Sequence, residues 1–130
     1  MIFIFGGYAQ GKLNFALKKY GLDYSDVFDS QQNDFSEYRG ERIINHFEYM
    51  IKKWLEHDEN PFVKTEEILD LLASCVIISQ EVGCGLVPVD EDERRFREAV
   101  GRANCLVSEK ADTVYRVCCG LGLKLKGGEV

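Results

Sequence analysis

The chain opens with an apolar run, Met1-Ile2-Phe3-Ile4-Phe5, that leads without a break into Gly6-Gly7-Tyr8-Ala9-Gln10-Gly11-Lys12-Leu13. From Lys12 to Tyr20 the spacing predicts a helix. A short, fully apolar run that feeds a glycine loop and then a helix has the look of a buried strand, and strand, loop and helix in that order make coincidence a poor account of the loop. The spacing from Gly6 to Gly11-Lys12 is that of a phosphate-binding loop (P-loop). Glycines let backbone N–H groups curl around phosphate oxygens, and the lysine neutralises the β and γ charges. The next position in such loops carries a serine or threonine whose hydroxyl holds Mg²⁺, and Leu13 has no oxygen to offer. Gly6, Gly7, Tyr8, Ala9, Gln10, Gly11, Lys12 and Leu13 are therefore the candidate nucleotide contacts, with Lys12 the candidate catalytic cation. The Tyr8 ring is available to stack on a base or on a neighbouring chain.

Gly21 stands where a helix-ending glycine is favoured, and Asp26 to Ser30 is a short strand candidate that contains Asp29. Residues 31–40 read as loop. From Glu41 to Leu55, Ile43, Phe47, Met50, Ile51 and Trp54 recur at helical spacing, which predicts one amphipathic helix with His46 inside it. Asn60-Pro61 is expected to break that pattern, and Thr65 to Leu72 to form a further short helix. His57, beside Asp58, reads as a favourable charge at a helix end. Cys75 to Ser79 is a second strongly apolar strand. Glu81 follows it at the mouth of the glycine-containing segment 82–85, the kind of place where open α/β sheets bind ligands. Asp90-x-x-Glu93 has the form of a capping box before a long helix with Phe96, Val100, Ala103 and Val107 as its buried stripe. Thr113 to Cys119 and Leu123 to Lys126, separated by glycines, predict a closing hairpin. The expected architecture is a three-layer P-loop fold, a mainly parallel sheet with an antiparallel C-terminal hairpin, over one domain spanning 1–130.

Composition narrows the partners. A formal charge of −6 argues against a nucleic-acid surface, which needs clustered Lys and Arg. No apolar stretch reaches the roughly 20 residues of a membrane span, and the first residues lack the pattern of a signal peptide, so a cytoplasmic location is expected. The five cysteines, Cys75, Cys84, Cys105, Cys118 and Cys119, have no Cys-x-x-Cys spacing and read as buried, reduced thiols.

Several blocks in the second half agree in order with one family. Glu81-Val82-Gly83-Cys84-Gly85-Leu86-Val87-Pro88, Arg95-Phe96-Arg97, Gly101-Arg102-Ala103-Asn104, Ala111-Asp112-Thr113-Val114-Tyr115-Arg116-Val117 and Gly120-Leu121-Gly122-Leu123-Lys124-Leu125-Lys126, together with the N-terminal strand and loop, resemble the adenosylcobinamide kinase/adenosylcobinamide-phosphate guanylyltransferase family of cobalamin biosynthesis. Such proteins phosphorylate a cobinamide side chain with a nucleoside triphosphate and then transfer GMP through a guanylylated histidine. The resemblance implies ATP or GTP as cofactor with Mg²⁺, a cobinamide partner and a homo-oligomer. Asp29 would match an acid near the metal and nucleotide, with a catalytic and metal-binding role. Glu81 falls in the family's Glu-Val-Gly loop, and Arg102 and Asn104 in its Gly-Arg-x-Asn helix.

The sequence departs from that pattern at Tyr8-Ala9-Gln10, where the family has Ala-Arg-Ser, and at Leu13. It is also short between the first helix and Cys75, the region that carries the family's guanylylated histidine. Arg42-Ile43-x-x-His46 echoes that segment without the Arg and Pro that follow it, and His46, placed in a helix, reads as a surface or boundary residue. These features lead to the expectation of a kinase-type nucleotide-binding protein without the guanylyltransferase half. The alternative is a non-catalytic nucleotide- or anion-binding accessory module of corrinoid metabolism.

Overall fold

The computed structural model describes residues 1–81 and 90–128. Along the chain the elements are β1 (Ile2–Gly6), α1 (Lys12–Tyr20), β2 (Val27–Asp29), β3 (Ile43–Asn45), α2 (Phe47–Glu56), α3 (Pro61–Leu69), β4 (Val76–Gln80), α4 (Glu91–Lys110), β5 (Thr113–Cys118) and β6 (Leu121–Lys126). The strands form one sheet in the order β2-β3-β4-β1-β5-β6, parallel throughout except for the antiparallel β5–β6 hairpin. Helices cover both faces, as the three-layer expectation requires.

Alternation along the central strands sends side chains into two cores. Phe3, Ile44, Ile77 and Val114 face α2, α3 and α4, where they meet Phe47, Ile51, Leu69, Val100 and Val107. Ile4, Ile43, Ile78, Tyr115 and Val117 face α1 and pack on Ala16, Leu13, Phe15 and Leu17. A strand buried on both faces is apolar at every position, which is why β1 and β4 read as unbroken hydrophobic runs. Removing a side chain such as Phe47 or Ile51 from water contributes about 1.5–3 kcal/mol each. Among the described residues, no helix is long and apolar enough to cross a membrane.

The Lys12–Tyr20 helix is found as expected, and Gly21 closes it in the left-handed region at φ 63°, with Leu22 N–H bonded to the Leu17 carbonyl at 3.0 Å. Three other expectations are corrected. The segment 41–55 is not one helix: Ile43–Asn45 is β3, between β2 and β4, and only Phe47–Glu56 is helical. Ile43 and Ile44 are fully buried in opposite cores, an arrangement a strand provides and a helix does not. His46 is the joint between them, at φ 57°.

Asn60-Pro61 starts α3 rather than merely ending what precedes it. Asn60 Oδ1 accepts the N–H groups of Phe62 and Val63 at 3.0 and 3.3 Å, and Pro61 occupies the first helical position, where its missing N–H costs nothing. The helix therefore begins at Pro61, four residues before the expected Thr65, and Glu66 and Glu67 lie beyond its first turn. The cysteines also differ from expectation: Cys75 is buried, whereas Cys105, Cys118 and Cys119 are exposed, and Cys84 lies outside the described residues. Asp90 does cap α4, through the Asp92 N–H at 2.9 Å and not through position 93.

The β5–β6 turn is made by Cys119 and Gly120, both in the left-handed region at φ 52° and 76°, the two-residue geometry that suits the twist of a hairpin. A Cβ at Gly122 would lie 2.3 Å from the Phe15 ring, whereas one at Gly101, in the middle of α4, would meet nothing within 4 Å. Gly122→Ala should therefore destabilise the fold by about 1–3 kcal/mol through overpacking, and Gly101→Ala should stabilise it by about 0.5–1 kcal/mol through helix propensity. The urea midpoints of the two variants should move in opposite directions.

Candidate functional site

The chain leaves β1 through α1 towards the β2 edge, and leaves β4 through α4 to reach β5 on the other side of β1. The two helices run over opposite faces, so the carboxyl ends of β1 and β4 diverge into the crevice where open α/β sheets take their ligands. A cavity of about 450 Å³ lies there, lined by Gly7, Tyr8 and Gln10 of the loop, Gln80 and Glu81 at the end of β4, Glu48 of α2, and Arg97 and Arg116.

The loop holds its shape for steric reasons. A Cβ on Gly6 would sit 2.4 Å from the Val117 carbonyl oxygen, so β5 tolerates only glycine at that point. Gly11 turns at φ 86° against the Cα of Gly120, and Ala9 also adopts a left-handed φ of 55°. Two bonds tie the loop to the hairpin turn: Cys119 N–H donates to Gln10 Oε1 and Gly120 N–H to the Gln10 carbonyl, each at 2.7 Å. Lys12 folds back over the loop, and its ammonium donates to the Gly6 and Gly7 carbonyls at 3.2 and 2.7 Å. Burial lowers the Lys12 pKa from the usual 10.5, while the nearby carboxylates of Glu48 and Glu81 oppose that shift. Tyr8 is 81% exposed at the rim. Leu13 packs its side chain into the α1 core.

Two acids flank the lysine. Glu81, whose N–H continues the ladder to the Gly6 carbonyl at 2.7 Å, places Oε2 3.1 Å from Arg116 Nε. Glu48 is 4% exposed, and its Oε1 accepts the Gln80 N–H at 3.0 Å, which bridges α2 to the end of β4. Asn104 holds the same strand end from α4, its Nδ2 donating to the Gln80 carbonyl at 3.2 Å. Sequence reasoning did not single out Glu48 as a site residue, because a helix read from residue 41 places it on a polar face. The signal that would have found it is the β-branched pair Ile43-Ile44, which begins a strand that ends at Asn45, two residues before α2 starts.

The structure brings together Gly6, Gly7, Tyr8, Ala9, Gln10, Gly11, Lys12 and Glu81. It does not bring Asp29 or Arg102 to them. Asp29 ends the edge strand β2, with β3 and β4 between it and β1, roughly 14 Å away at the usual strand spacing. There it accepts the N–H of Gln31 at 2.9 Å and binds His46 Nδ1 at 2.9 Å. A carboxylate only accepts, so the imidazole carries its proton on Nδ1 in this pair. Arg102 lies on an exposed face of α4, paired with Glu98 at 3.1 Å. His57 is the residue that closes α2, as its sequence position suggested. The block from Val82 to Pro88 lies outside the described residues.

A parallel sheet with helices on both faces, and a glycine-lysine loop where its central strand gives way to a helix, defines a P-loop-type α/β protein. The family described as cobinamide kinase/cobinamide phosphate guanyltransferase matches residues 31–125, and the chain belongs to it. The bifunctional adenosylcobalamin biosynthesis protein CobU of Salmonella typhimurium (strain LT2) is 38% identical over 68 residues, 47% of this chain and 38% of that protein. Its namesake from Escherichia coli (strain K12) is 37% identical over 67 residues, 46% of this chain and 37% of that protein. The similarity thus spans well under half the length of these relatives. The phosphate loop precedes the family-matched segment, so its assignment stands on the geometry above.

The lowered Lys12 pKa gives a signed expectation. Between its folded value and 10.5 the unfolded chain binds more protons than the folded one, so this group's contribution to stability rises with pH across that window and is smallest below it. Glu48→Gln and Glu81→Gln should each lower the Lys12 pKa further, because each removes a charge that favours the ammonium. An NMR titration of the Lys12 side chain reads both effects.

Proposed function

We propose that the chain binds a nucleoside triphosphate, ATP or GTP, at the loop 6–12 and transfers its γ-phosphoryl group to a hydroxyl of a cobinamide. The observation that carries this reading is the Lys12 ammonium resting on the Gly6 and Gly7 carbonyls beside the switch-point cavity that Gly7, Tyr8 and Gln10 line. In the transfer, an acceptor oxygen attacks the γ-phosphorus, the bond to the β-bridging oxygen breaks, and the nucleoside diphosphate leaves with that electron pair. Lys12 and the loop amides bear the charge that builds on the equatorial and leaving oxygens. Glu81 and Glu48 line the cavity on the acceptor side, and the hydroxyl proton passes to one of these carboxylates.

The same two carboxylates suit a hard cation, since their donors are oxygens and Mg²⁺ keeps much of its water shell when bound to protein. Such an ion would supply further charge neutralisation at the β and γ oxygens. Asp29, the ligand expected from sequence, stands away from the loop by two intervening strands.

Guanylyl transfer is left out of this reading. His46 follows β3 and is separated from β1, and so from the phosphate loop, by β4. A second reading, a non-catalytic module that binds a nucleotide or anion, is favoured by one observation: Leu13 is part of the α1 core and brings no oxygen to a metal. Calorimetry with ATP and GTP, with and without Mg²⁺, and assays of cobinamide phosphorylation decide between them. The enzyme reading expects Mg²⁺-dependent binding and turnover, with Lys12→Ala lowering turnover by about 100-fold or more. Unchanged turnover in that variant would rule the mechanism out, and weak Mg²⁺-independent binding with no turnover would support the module.

Self-association is part of the same proposal. Leu121, Leu123 and Leu125 on the edge strand β6 are all more than half exposed, an apolar surface suited to a second copy of the chain. Leu123→Lys should lower the sedimenting mass; an unchanged mass would remove β6 from the interface.

A further inference from the structure

Cys118 ends β5 and Cys119 begins the turn into β6, and both are exposed. The neighbouring Cys118 thiol raises the Cys119 pKa above its ordinary value. The backbone that carries this pair is also the backbone that holds the phosphate loop, through Cys119 N–H and Gly120 N–H on Gln10, each at 2.7 Å. Successive Cα atoms across a trans peptide are about 3.8 Å apart, closer than the roughly 4.4–6.8 Å of ordinary disulfides. Joining the two sulfurs closes an eight-membered ring through the planar 118–119 peptide, so closure resets the turn dihedrals on either side of that bond, including the left-handed φ of Cys119. That change acts on the N–H groups gripping Gln10.

We propose that Cys118 and Cys119 are a thiol-modification site, which low-molecular-weight disulfides close into a vicinal disulfide, and that closure releases the phosphate loop from the hairpin turn. One cysteine, as thiolate, attacks a sulfur of the external disulfide, forms a mixed disulfide and expels one small thiolate. The neighbouring thiolate then attacks the protein sulfur of that mixed disulfide and expels the second. Two electrons pass from the cysteine pair to the external disulfide, which leaves as two thiols, and the protons lost by the cysteines balance those taken up by the leaving thiolates. A strained pair of this kind is readily reduced, so the site returns to the dithiol when a reductant prevails. Because the loop it releases is the one assigned above to a nucleoside triphosphate, the effect on nucleotide affinity rests on that assignment.

The test uses the full chain treated with glutathione disulfide, then with dithiothreitol. Trypsin yields the peptide Val117–Lys124, which contains this cysteine pair and excludes Cys105. Mass spectrometry of that peptide should show the loss of two hydrogens after oxidation and their return on reduction. Hydrogen exchange of residues 6–12 should be faster in the oxidised form, and nucleotide affinity about tenfold weaker, the scale of one lost hydrogen bond. In Cys119→Ser, the same treatment should leave the exchange of residues 6–12 at its reduced level. Retention of both thiols, or arrest at the mixed disulfide, overturns the site. A closed pair with unchanged exchange at the loop overturns the coupling, as does faster exchange in Cys119→Ser. Should the reduced chain bind neither ATP nor GTP, the nucleotide assignment fails, while peptide mass and hydrogen exchange still decide the dithiol site.

Discussion

β1 is hydrogen-bonded along both edges and buried on both faces, and that enclosure governs the arrangement around it. A strand with no free edge and no free face can present polar backbone groups only where it ends. Its carboxyl end is also where α1 and α4 part to opposite sides of the sheet. Gly6, pressed against the Val117 carbonyl, and Gly11, pressed against Gly120, are the local expressions of that crowding. The loop takes its form from a carbonyl that leaves no room for a side chain at Gly6 and from a left-handed turn, crowded by Gly120, at Gly11.

Charge at the site follows from the same geometry. Lys12 is drawn into partial burial by two carbonyls, an environment that disfavours its proton, and Glu48 and Glu81 offset part of that cost. Each of these carboxylates has a fixed partner, the Gln80 N–H for Glu48 and Arg116 for Glu81. The surroundings of the lysine are thus already oriented, which is the condition under which electrostatic groups act most strongly on developing charge.

Much of the fold was legible in the sequence where elements were long or chemically marked. β1 and β4 announced themselves as apolar runs, α1 by its start at Lys12 and its glycine stop, and the hairpin by its glycines. β3 was hidden because three residues cannot display a period of two, and Ile43 happens to lie four positions before Phe47, which continues the helical rhythm across a strand and a left-handed residue. The same misreading concealed Glu48 and set His46 in a helix. Asp29 and Arg102 show a different limit: a family motif can place a residue type in a chain, but which strand stands beside β1 is a property of topology. The exposed cysteines show a third. Apolar neighbours in sequence say little about burial at the end of β5, where Arg116 and Cys118 are exposed on either side of the buried Val117.

The bond from Cys119 to Gln10 joins positions 109 residues apart. Synthesis proceeds from the amino end, so the loop is made 109 residues before its brace. A nascent chain has already produced every glycine of the cradle long before the turn that fixes the cradle's shape exists. The shape of this loop is therefore timed by the C-terminal hairpin, and a ribosome-bound fragment lacking that hairpin carries the complete motif without the support that shapes it.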